Sequence, residues 1–505
     1  MEDISDDKIL DLSLDFLHSS TEDPFDEEAW KALNNFLLRP YWKRIWIIQE
    51  VALARSAVIH FGTKQFLYRN LETACALWES LFEPHQRHRL SQIHLATLIT
   101  SWWREILIFG RFKVHSSNER LINTTLLELA QSTTKFEATD PRDKIYGILG
   151  LLSDEILPVQ PDYNRTVSQV YMDAVFSGSE PKNQLKFLCM RGLESFRSSS
   201  TLELPSWVPD FTREHHLSSM VRFNASGDSV ADYHFSPDSG LLQCLGLTCD
   251  EIEEVRPAYE VDDFDSYVWD LAAFAQAKSP ELHPSGIPWR QAFFRTLIWD
   301  NSMQEPDRKF FELAEIFLAG MGEMALDIMM KNLNDNTVEK DYDTMDTDFI
   351  IAKILQDESL SRFARLFTCW TRIVPGIADI RTNETLLEAF CGHSRDPNRL
   401  VWKHSDVKEV SYGDRSTVEY LAQTAPLYGR SFFVTKRGYM GLGPSNIQKG
   451  DQVCIILGCP LPTVIRDEGE SSTVLGSAYV YGMMQGEMMQ EKKTGKFNLK
   501  TFIFR

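Results

Sequence analysis

The sequence predicts an α+β protein that is predominantly helical and ends in a small β-barrel-like region. Two observations carry this prediction. Residues 27–54 place apolar side chains at three- and four-residue spacing, the period of an amphipathic helix, and residues 262–397 are also helical in pattern. From Arg430 onward, short apolar runs such as Phe432-Phe433-Val434 are separated by glycines. Short strands with glycine turns are typical of small barrels.

These changes in pattern divide the chain into several parts, as expected for 505 residues when a domain averages about 150. The predicted segments are an acidic stretch (1–28), a helix-and-strand segment (29–155), a mostly helical middle with a proline-rich stretch (156–428), a small β region (429–489), and a tail or strand (490–505).

The composition excludes several classes of protein. Hydrophobic residues make up 43% of the chain, which is enough for a folded core. The 52 basic and 72 acidic residues give a net charge of −20, which opposes binding to nucleic acid. No apolar run has the ~20 residues of a membrane span. The acidic start does not look like a signal peptide, and eight cysteines are too few for a disulfide scaffold. We therefore expect a cytoplasmic protein.

Two groups of residues could be interpreted as metal sites, but in both groups the sequence favours another interpretation. His85, His88 and His94 surround Arg87, whose charge repels a cation, so a solvated helix face is the better interpretation. The acidic loop at 341–348 lacks the glycine that a calcium-binding loop requires, which favours a solvated loop. We predict no metal and no cofactor.

The cysteines repeat a C-x4-C spacing at Cys244/Cys249 and Cys454/Cys459. Positions five apart in a strand point to opposite faces, so ordinary buried thiols are the favoured interpretation. The chain also lacks Walker A, G-x-G-x-x-G and G-x-S-x-G sequences, so the corresponding nucleotide-binding and hydrolase classes gain no motif support.

A first block of interest runs from residue 39 to 54 and reads RPYWKRIWIIQEVALA. On a continuous helix, Trp42, Ile45 and Trp46 share one face, and Glu50 lies one turn beyond Trp46. A carboxylate held beside an indole ring can gain proton affinity, which suits acid–base chemistry. The alternative is a plain amphipathic helix whose Glu50 pairs with Arg44, Lys43 or a distant base.

A second block runs from residue 138 to 151 and reads ATDPRDKIYGILGL. Asp140 can cap a helix that Pro141 starts, and Asp143 lies near the positive end of its dipole. By spacing alone this is a capped helix of residues 144–152.

Together the two blocks resemble the fungal heterokaryon incompatibility (HET) domain. The first matches its R-P-[YWF]-[WF]-x-R-x-W-[IV]-[IVL]-Q-E signature, and the second matches A-T-D-P-R-D-K-[IV]-Y-[AG]-[IL]-L-G-L. Segments 161–163, 204–210 and 441–487 also resemble parts of such proteins. The resemblance singles out these motif residues: Trp42, Arg44, Trp46, Gln49, Asp140, Pro141, Arg142, Asp143, Tyr146 and Gly150.

The chain departs from the family at its start. The [YF]-x-A-L-S-Y-x-W-G and W-I-D-x-[IL]-C-I-N-Q blocks that open a HET domain have no counterpart here, so we expect residues 29–155 to be the second half of a truncated domain. The HET domain is also similar to the TIR domain, a parallel sheet flanked by helices. That resemblance implies a partial TIR-like α/β remnant at the N-terminus.

Some TIR domains cleave NAD with the glutamate of a W-x-x-x-E helix. Trp46 to Glu50 has that spacing, so the resemblance nominates Glu50 as a catalytic residue and NAD as a substrate. A lone carboxylate without a surrounding pocket does not hold a substrate in reactive geometry. We therefore expect no catalysis from this chain by itself.

Three hypotheses follow. The first is a protein of fungal non-self recognition (allorecognition) and programmed cell death that acts through protein partners, with self-association possible. The second is a TIR-like NAD hydrolase that uses Glu50. The third treats residues 429–489 as an independent binding module.

Overall fold

The computed structural model describes residues 35–81, 125–152, 159–176, 185–191, 202–213, 223–258, 271, 274, 282–297, 299 and 429–505. The chain divides into two compact units, one of residues 1–180 and 197–217 and one of residues 181–196 and 218–505. The acidic segment 1–28, the histidines at 85–94, the acidic loop at 341–348 and most of the predicted helical middle lie outside the described residues.

The first unit combines short helices with one β-hairpin. In chain order its described elements are α1 (Pro40–Lys43), α2 (Ile47–Ala52), β1 (Val58–Phe61), β2 (Lys64–Leu67), α3 (Tyr68–Leu81), α4 (Leu126–Ser132), α5 (Asp143–Tyr146), a 3-10 turn (Leu149–Leu151) and α6 (Val167–Phe176).

The continuous helix predicted after Tyr41 is broken at Arg44. This residue is extended, with ψ of 132°, and its backbone forms a parallel bridge with Glu137. Helix α2 begins only at Ile47. Trp42 and Trp46 therefore do not share one helix face, because a long-range backbone pairing interrupts the local periodicity.

The predicted strand near residues 57–60 is present as β1, which pairs with β2 in an antiparallel hairpin. Phe61 faces Lys64 across a two-residue turn. Gly62 occupies this turn with φ of +59°, a conformation that glycine adopts without steric cost. The described strands of the first unit are thus antiparallel, and the parallel arrangement expected of a TIR-like remnant is not found among them.

The second unit is built on strands. Its described elements are a 3-10 turn (Lys186–Met190), β3 (Tyr233–Ser236), β4 (Leu241–Ala258), α7 (Trp289–Leu297), β5 (Arg430–Thr435), β6 (Met440–Pro444), β7 (Gln452–Ile456), β8 (Thr463–Asp467), β9 (Ser472–Ser477), β10 (Tyr479–Val480), α8 (Glu487–Lys493) and β11 (Lys500–Phe504).

Strand β4 organises this unit. It is 18 residues long and pairs antiparallel with four other strands, β3, β5, β7 and β11. From β7 the pairing continues through β8 and β9 to β11, which returns to β4, so five strands form a closed ring. Closure removes the free edges that an open sheet would expose.

The prediction of a predominantly helical fold is wrong. The largest element among the described residues is a nine-stranded sheet that includes the ring. The barrel-like region is present, but it recruits β3 and β4 from far outside residues 429–489 and β11 from residues 500–504. Local apolar periodicity does not reveal such pairings, because they join residues that are about 200 positions apart.

The second unit has a buried apolar core. Its buried residues come from the strands and from the chain after β10, and they include the following side chains: Leu247, Cys249, Ile252, Phe433, Val453, Ile455, Val464, Val480, Met483 and Met488. Helix α8 contributes Met488 to this core, which ties the end of the chain to the sheet.

A substitution at Gly246 can test the closure of the ring, because this residue on β4 pairs with Lys500 of β11 and with Ile456 of β7. A Cβ atom there would lie 2.6 Å from the Ile455 carbonyl oxygen and 3.0 Å from the Phe502 ring. We expect Gly246→Ala to lower the free energy of unfolding by about 1–3 kcal/mol, measured by urea denaturation. Gln243→Ala, on the same strand, is the control and should change it by less than about 0.5 kcal/mol. Equal effects of the two substitutions would contradict the tight packing at Gly246.

Candidate functional site

The two sequence blocks meet in the first unit through their backbones. The N–H of Ile45 donates to the Glu137 carbonyl at 2.9 Å, and the N–H of Glu137 donates to the Lys43 carbonyl at 2.5 Å. These bonds seat the chain between α1 and α2 beside the segment that leads into α5. The interruption of the helix at Arg44 is therefore what brings the blocks together.

Asp143 is the side chain on which the blocks converge. The indole N–H of Trp46 donates to one carboxylate oxygen at 3.1 Å, and the Tyr163 hydroxyl donates to the other at 2.6 Å. The bond to Asp143 raises the pKa of Tyr163 to about 12. Both oxygens of Asp143 are thus engaged by aromatic donors from two separate segments.

Gln49 makes a second connection. Its side-chain N–H donates to the Tyr146 carbonyl at 3.3 Å. A Cβ atom on Gly150 would lie 2.7 Å from the Gln49 Oε1 atom, and one on Gly147 would lie 3.1 Å from the Ile45 side chain. Glycine at these two positions lets the blocks approach closely.

Asp140 and Arg142 form a local ion pair. The Arg142 guanidinium donates to both carboxylate oxygens, at 3.0 and 2.6 Å, and this bonding lowers the pKa of Asp140. Arg142 also donates to the carbonyls of Tyr163 and Arg165, at 2.5 and 2.9 Å. Asp140 does not cap the helix as predicted, because α5 begins at Asp143 and has no side-chain cap. The Asp140 carboxylate instead accepts the Arg142 backbone N–H, just before the helix, at 3.0 Å. The helix that follows is shorter than predicted, since α5 ends at Tyr146 and a 3-10 turn replaces the rest.

Other motif residues have structural contacts. Tyr171 donates to the Pro141 carbonyl at 2.8 Å, and the Tyr146 hydroxyl donates to the Asp162 carbonyl at 3.0 Å. Trp42 is buried and packs edge-on against Phe36 at 5.3 Å. We name the joined residues the signature cluster: Trp46, Gln49, Asp140, Arg142, Asp143, Tyr146 and Tyr163.

Sequence reasoning missed Lys144. This lysine is buried, at 3% exposure, and its ammonium donates to the carbonyls of Thr134, at 2.9 Å, and Phe136. Burial lowers its pKa to about 8, although the carboxylates of Asp210 and Glu137 oppose the shift. Asp210 is itself buried. A lysine that precedes the apolar run at 145–151 is the signal that could have identified it.

Glu50 lies away from these contacts. Its side chain is exposed, and its carboxylate accepts the Tyr41 hydroxyl at 3.3 Å. The Trp46 indole N–H is directed to Asp143 instead. A cavity of about 300 Å³ is lined by Phe36, Arg39, Tyr41, Trp42, Val51, residues 57–61 and Tyr68, but not by Glu50.

The contacts of the signature cluster indicate a structural role for its residues and give no direct indication of a catalytic one. The polar groups of the signature cluster bond to one another or to nearby carbonyls. Within the described ranges, three or more His, Cys, Asp or Glu side chains do not gather into a possible metal site. In that same part of the chain, helices are too short or too polar to cross a membrane.

Comparison with known proteins yields two matches. The family model of the Het-6 beta-barrel domain matches residues 369–500, which include β5 to β10. Over 497 residues the chain is 23% identical to heterokaryon incompatibility protein 6, OR allele, of Neurospora crassa, an alignment that covers 91% of this chain and 66% of the relative. No solved structure matches significantly. The resemblance to heterokaryon incompatibility proteins predicted from the sequence is confirmed.

The shared acceptor Asp143 permits a double-mutant cycle. Trp46→Phe and Tyr163→Phe each remove one donor and keep a ring, so each should lower the free energy of unfolding by about 0.5–1.5 kcal/mol. The effects should be non-additive by about 0.5 kcal/mol or more, because both donors bind one carboxylate. Urea denaturation of the four proteins measures this coupling. Strictly additive effects would show that the two bonds are independent.

The lowered pKa of Lys144 predicts a pH dependence of stability. Between pH 8 and about 10 the unfolded chain keeps this proton and the folded chain has lost it, so stability rises with pH. Relative to Lys144→Met, the wild-type protein should gain about 2 kcal/mol from pH 7.5 to 9.5. Urea denaturation at the two pH values measures this difference.

The matched control is Lys64→Met, since Lys64 is exposed. This variant should follow the wild-type pH dependence. A Lys144→Met variant that also followed it would contradict the lowered pKa.

Proposed function

We propose that this protein acts in fungal heterokaryon incompatibility as a cytoplasmic component of non-self recognition that triggers cell death by associating with protein partners, without a cofactor. The observation that carries the proposal is the signature cluster, whose polar groups are satisfied internally around Asp143. Hydrogen bonds of this kind hold the two sequence blocks together, which is a structural role and supports a function in protein association.

The kinship to heterokaryon incompatibility protein 6 and the Het-6 β-barrel match support the biological setting. The six cysteines in the described part of the chain are all free thiols, which suits a reducing compartment.

The surface of the first unit supports association. Tyr41, Val58 and Phe61 border the cavity and are 47%, 48% and 42% exposed. Exposed apolar side chains grouped around a concavity are typical of protein-binding surfaces. We call these three residues the apolar rim.

The alternative function is NAD cleavage through Glu50. The W-x-x-x-E spacing favours it, and the exposed position of Glu50, outside the cavity lining, weighs against it. General acid–base catalysis needs the carboxylate within hydrogen-bond reach of a held substrate. The two functions predict different responses to substitution of Glu50.

The test is heterokaryon formation in Neurospora crassa. The chain is expressed in one of two otherwise compatible strains, and viable heterokaryons are counted. We expect the wild-type chain and Glu50→Gln to reduce their number equally, and Phe61→Asp to reduce it far less because it places a charge on the apolar rim. The matched control is Leu282→Asp, since Leu282 is 72% exposed in the second unit, and it should behave as the wild type does.

Incubation of the purified chain with NAD decides the alternative. We expect no nicotinamide release. Release that Glu50→Gln abolishes, together with loss of the heterokaryon effect in that variant, would replace association with catalysis. Equal effects of Phe61→Asp and Leu282→Asp would remove the apolar rim from the proposal.

A further inference from the structure

Two cysteines far apart in the sequence meet inside the second unit. The sulfur atoms of Cys189 and Cys459 are 3.2 Å apart, and 270 positions separate the residues. Both side chains are completely buried. The C-x4-C spacing favoured ordinary buried thiols, and it gave no indication that Cys189 lies against Cys459.

The backbone around Cys189 is held in place. The Ser477 hydroxyl donates to the Cys189 carbonyl at 3.0 Å, and the Ser477 backbone N–H donates to the Arg191 carbonyl at 2.8 Å. The neighbouring side chains Phe187 and Leu188 are buried. The 3-10 turn that carries Cys189 is thus fastened to the end of β9.

The turn that carries Cys459 is equally constrained. The Cys459 N–H donates to the Ile456 carbonyl at 3.0 Å. The preceding Gly458 has φ of +76°, and a Cβ atom there would lie 2.7 Å from the Ala231 Cβ atom. Because both backbone segments are held by these contacts, the two sulfur atoms can approach each other by rotation of the Cys189 and Cys459 side chains.

The surroundings of Cys459 favour its thiolate. The hydrogen bond from the Cys189 thiol lowers the pKa of Cys459, and bonds from the Leu461 N–H and the Thr463 hydroxyl act in the same direction, while burial opposes them. The thiolate is the nucleophilic form of cysteine. Cys459 is taken as the attacking sulfur, and the disulfide that results is the same whichever of the two thiols is oxidised first.

We propose that Cys189 and Cys459 form an oxidation site at which hydrogen peroxide joins the two thiols in a disulfide. A disulfide has an S–S length of about 2.05 Å, so the sulfur atoms need to approach by only about 1 Å. This proposal concerns the second unit and does not depend on the proposed function.

The reaction proceeds in two balanced steps. The Cys459 thiolate attacks one peroxide oxygen, the O–O bond breaks, and the departing hydroxide takes a proton to become water, leaving a sulfenic acid. The Cys189 thiolate then attacks the Cys459 sulfur and expels hydroxide, which leaves as a second water after protonation. Two thiols are oxidised, and one peroxide is reduced to two waters.

The disulfide would link the 3-10 turn at 186–190 to the turn between β7 and β8. It closes a loop of about 270 residues, and cross-links across long loops restrict the unfolded chain strongly. Oxidation should therefore raise the melting temperature. Because the thiols are fully buried, peroxide reaches them when this region opens locally, and the reaction should be slow.

Peptide mapping of the full chain tests the proposal. The reduced protein is treated with hydrogen peroxide, denatured in N-ethylmaleimide and digested without reduction. We expect a linked Cys189–Cys459 peptide and a fall in alkylated thiols from eight to six. Eight alkylated thiols, a link from Cys459 to another cysteine, or a sulfinic acid on Cys459 would overturn the proposal.

Two variants sharpen the result. Cys459→Ser should lose both the linked peptide and the peroxide-dependent rise in melting temperature. Cys249→Ser, which removes another buried thiol of the same unit, should keep both. A rise in melting temperature that persists in Cys459→Ser would contradict the assignment. The mapping of the wild-type chain decides the question even if a variant does not fold.

Discussion

The first unit depends on the carboxylate of Asp143. This side chain receives the Trp46 indole N–H and the Tyr163 hydroxyl, so one anion fastens α2, α5 and the segment after residue 159. Hydrogen bonds to a charged acceptor are stronger than bonds between neutral groups. The two motif blocks are therefore joined to each other by side-chain and backbone hydrogen bonds.

The buried ammonium of Lys144 adds hydrogen bonds near the joint between the two blocks, but burying a charge carries a desolvation penalty. The ammonium of Lys144 is buried beside the chain between α4 and α5, where it donates hydrogen bonds to the carbonyls of Thr134 and Phe136. A buried carboxylate at Asp210 moderates the cost electrostatically. Such an arrangement favours one geometry over others, because displacement of Lys144 would break both hydrogen bonds and take the positive charge away from Asp210.

The second unit depends on a different feature, the closure of its sheet into a ring of strands. Strand β4 is long enough to pair with different partners along its length, and β11 brings the C-terminus back to complete the ring. The same unit holds the Cys189 and Cys459 sulfur atoms in contact. The two units thus offer distinct properties, a rigid polar joint with an apolar rim in the first and a closed barrel with an oxidisable thiol pair in the second.

The sequence by itself determined the family resemblance, the two motif blocks, the β1 strand and the barrel-like character of the C-terminal region. Those features depend on residue identity and near neighbours, which local patterns record. Only the tertiary structure decided that Arg44 breaks the first helix, that Trp46 faces Asp143 and leaves Glu50 exposed, and that Lys144 is buried. It alone also recruited β4 into the ring and placed Cys189 beside Cys459. Apart from the burial of Lys144, whose carbonyl partners are 8 and 10 residues away, these outcomes come from pairings across about 100 to 270 residues. Apolar periodicity carries no information about contacts at that separation.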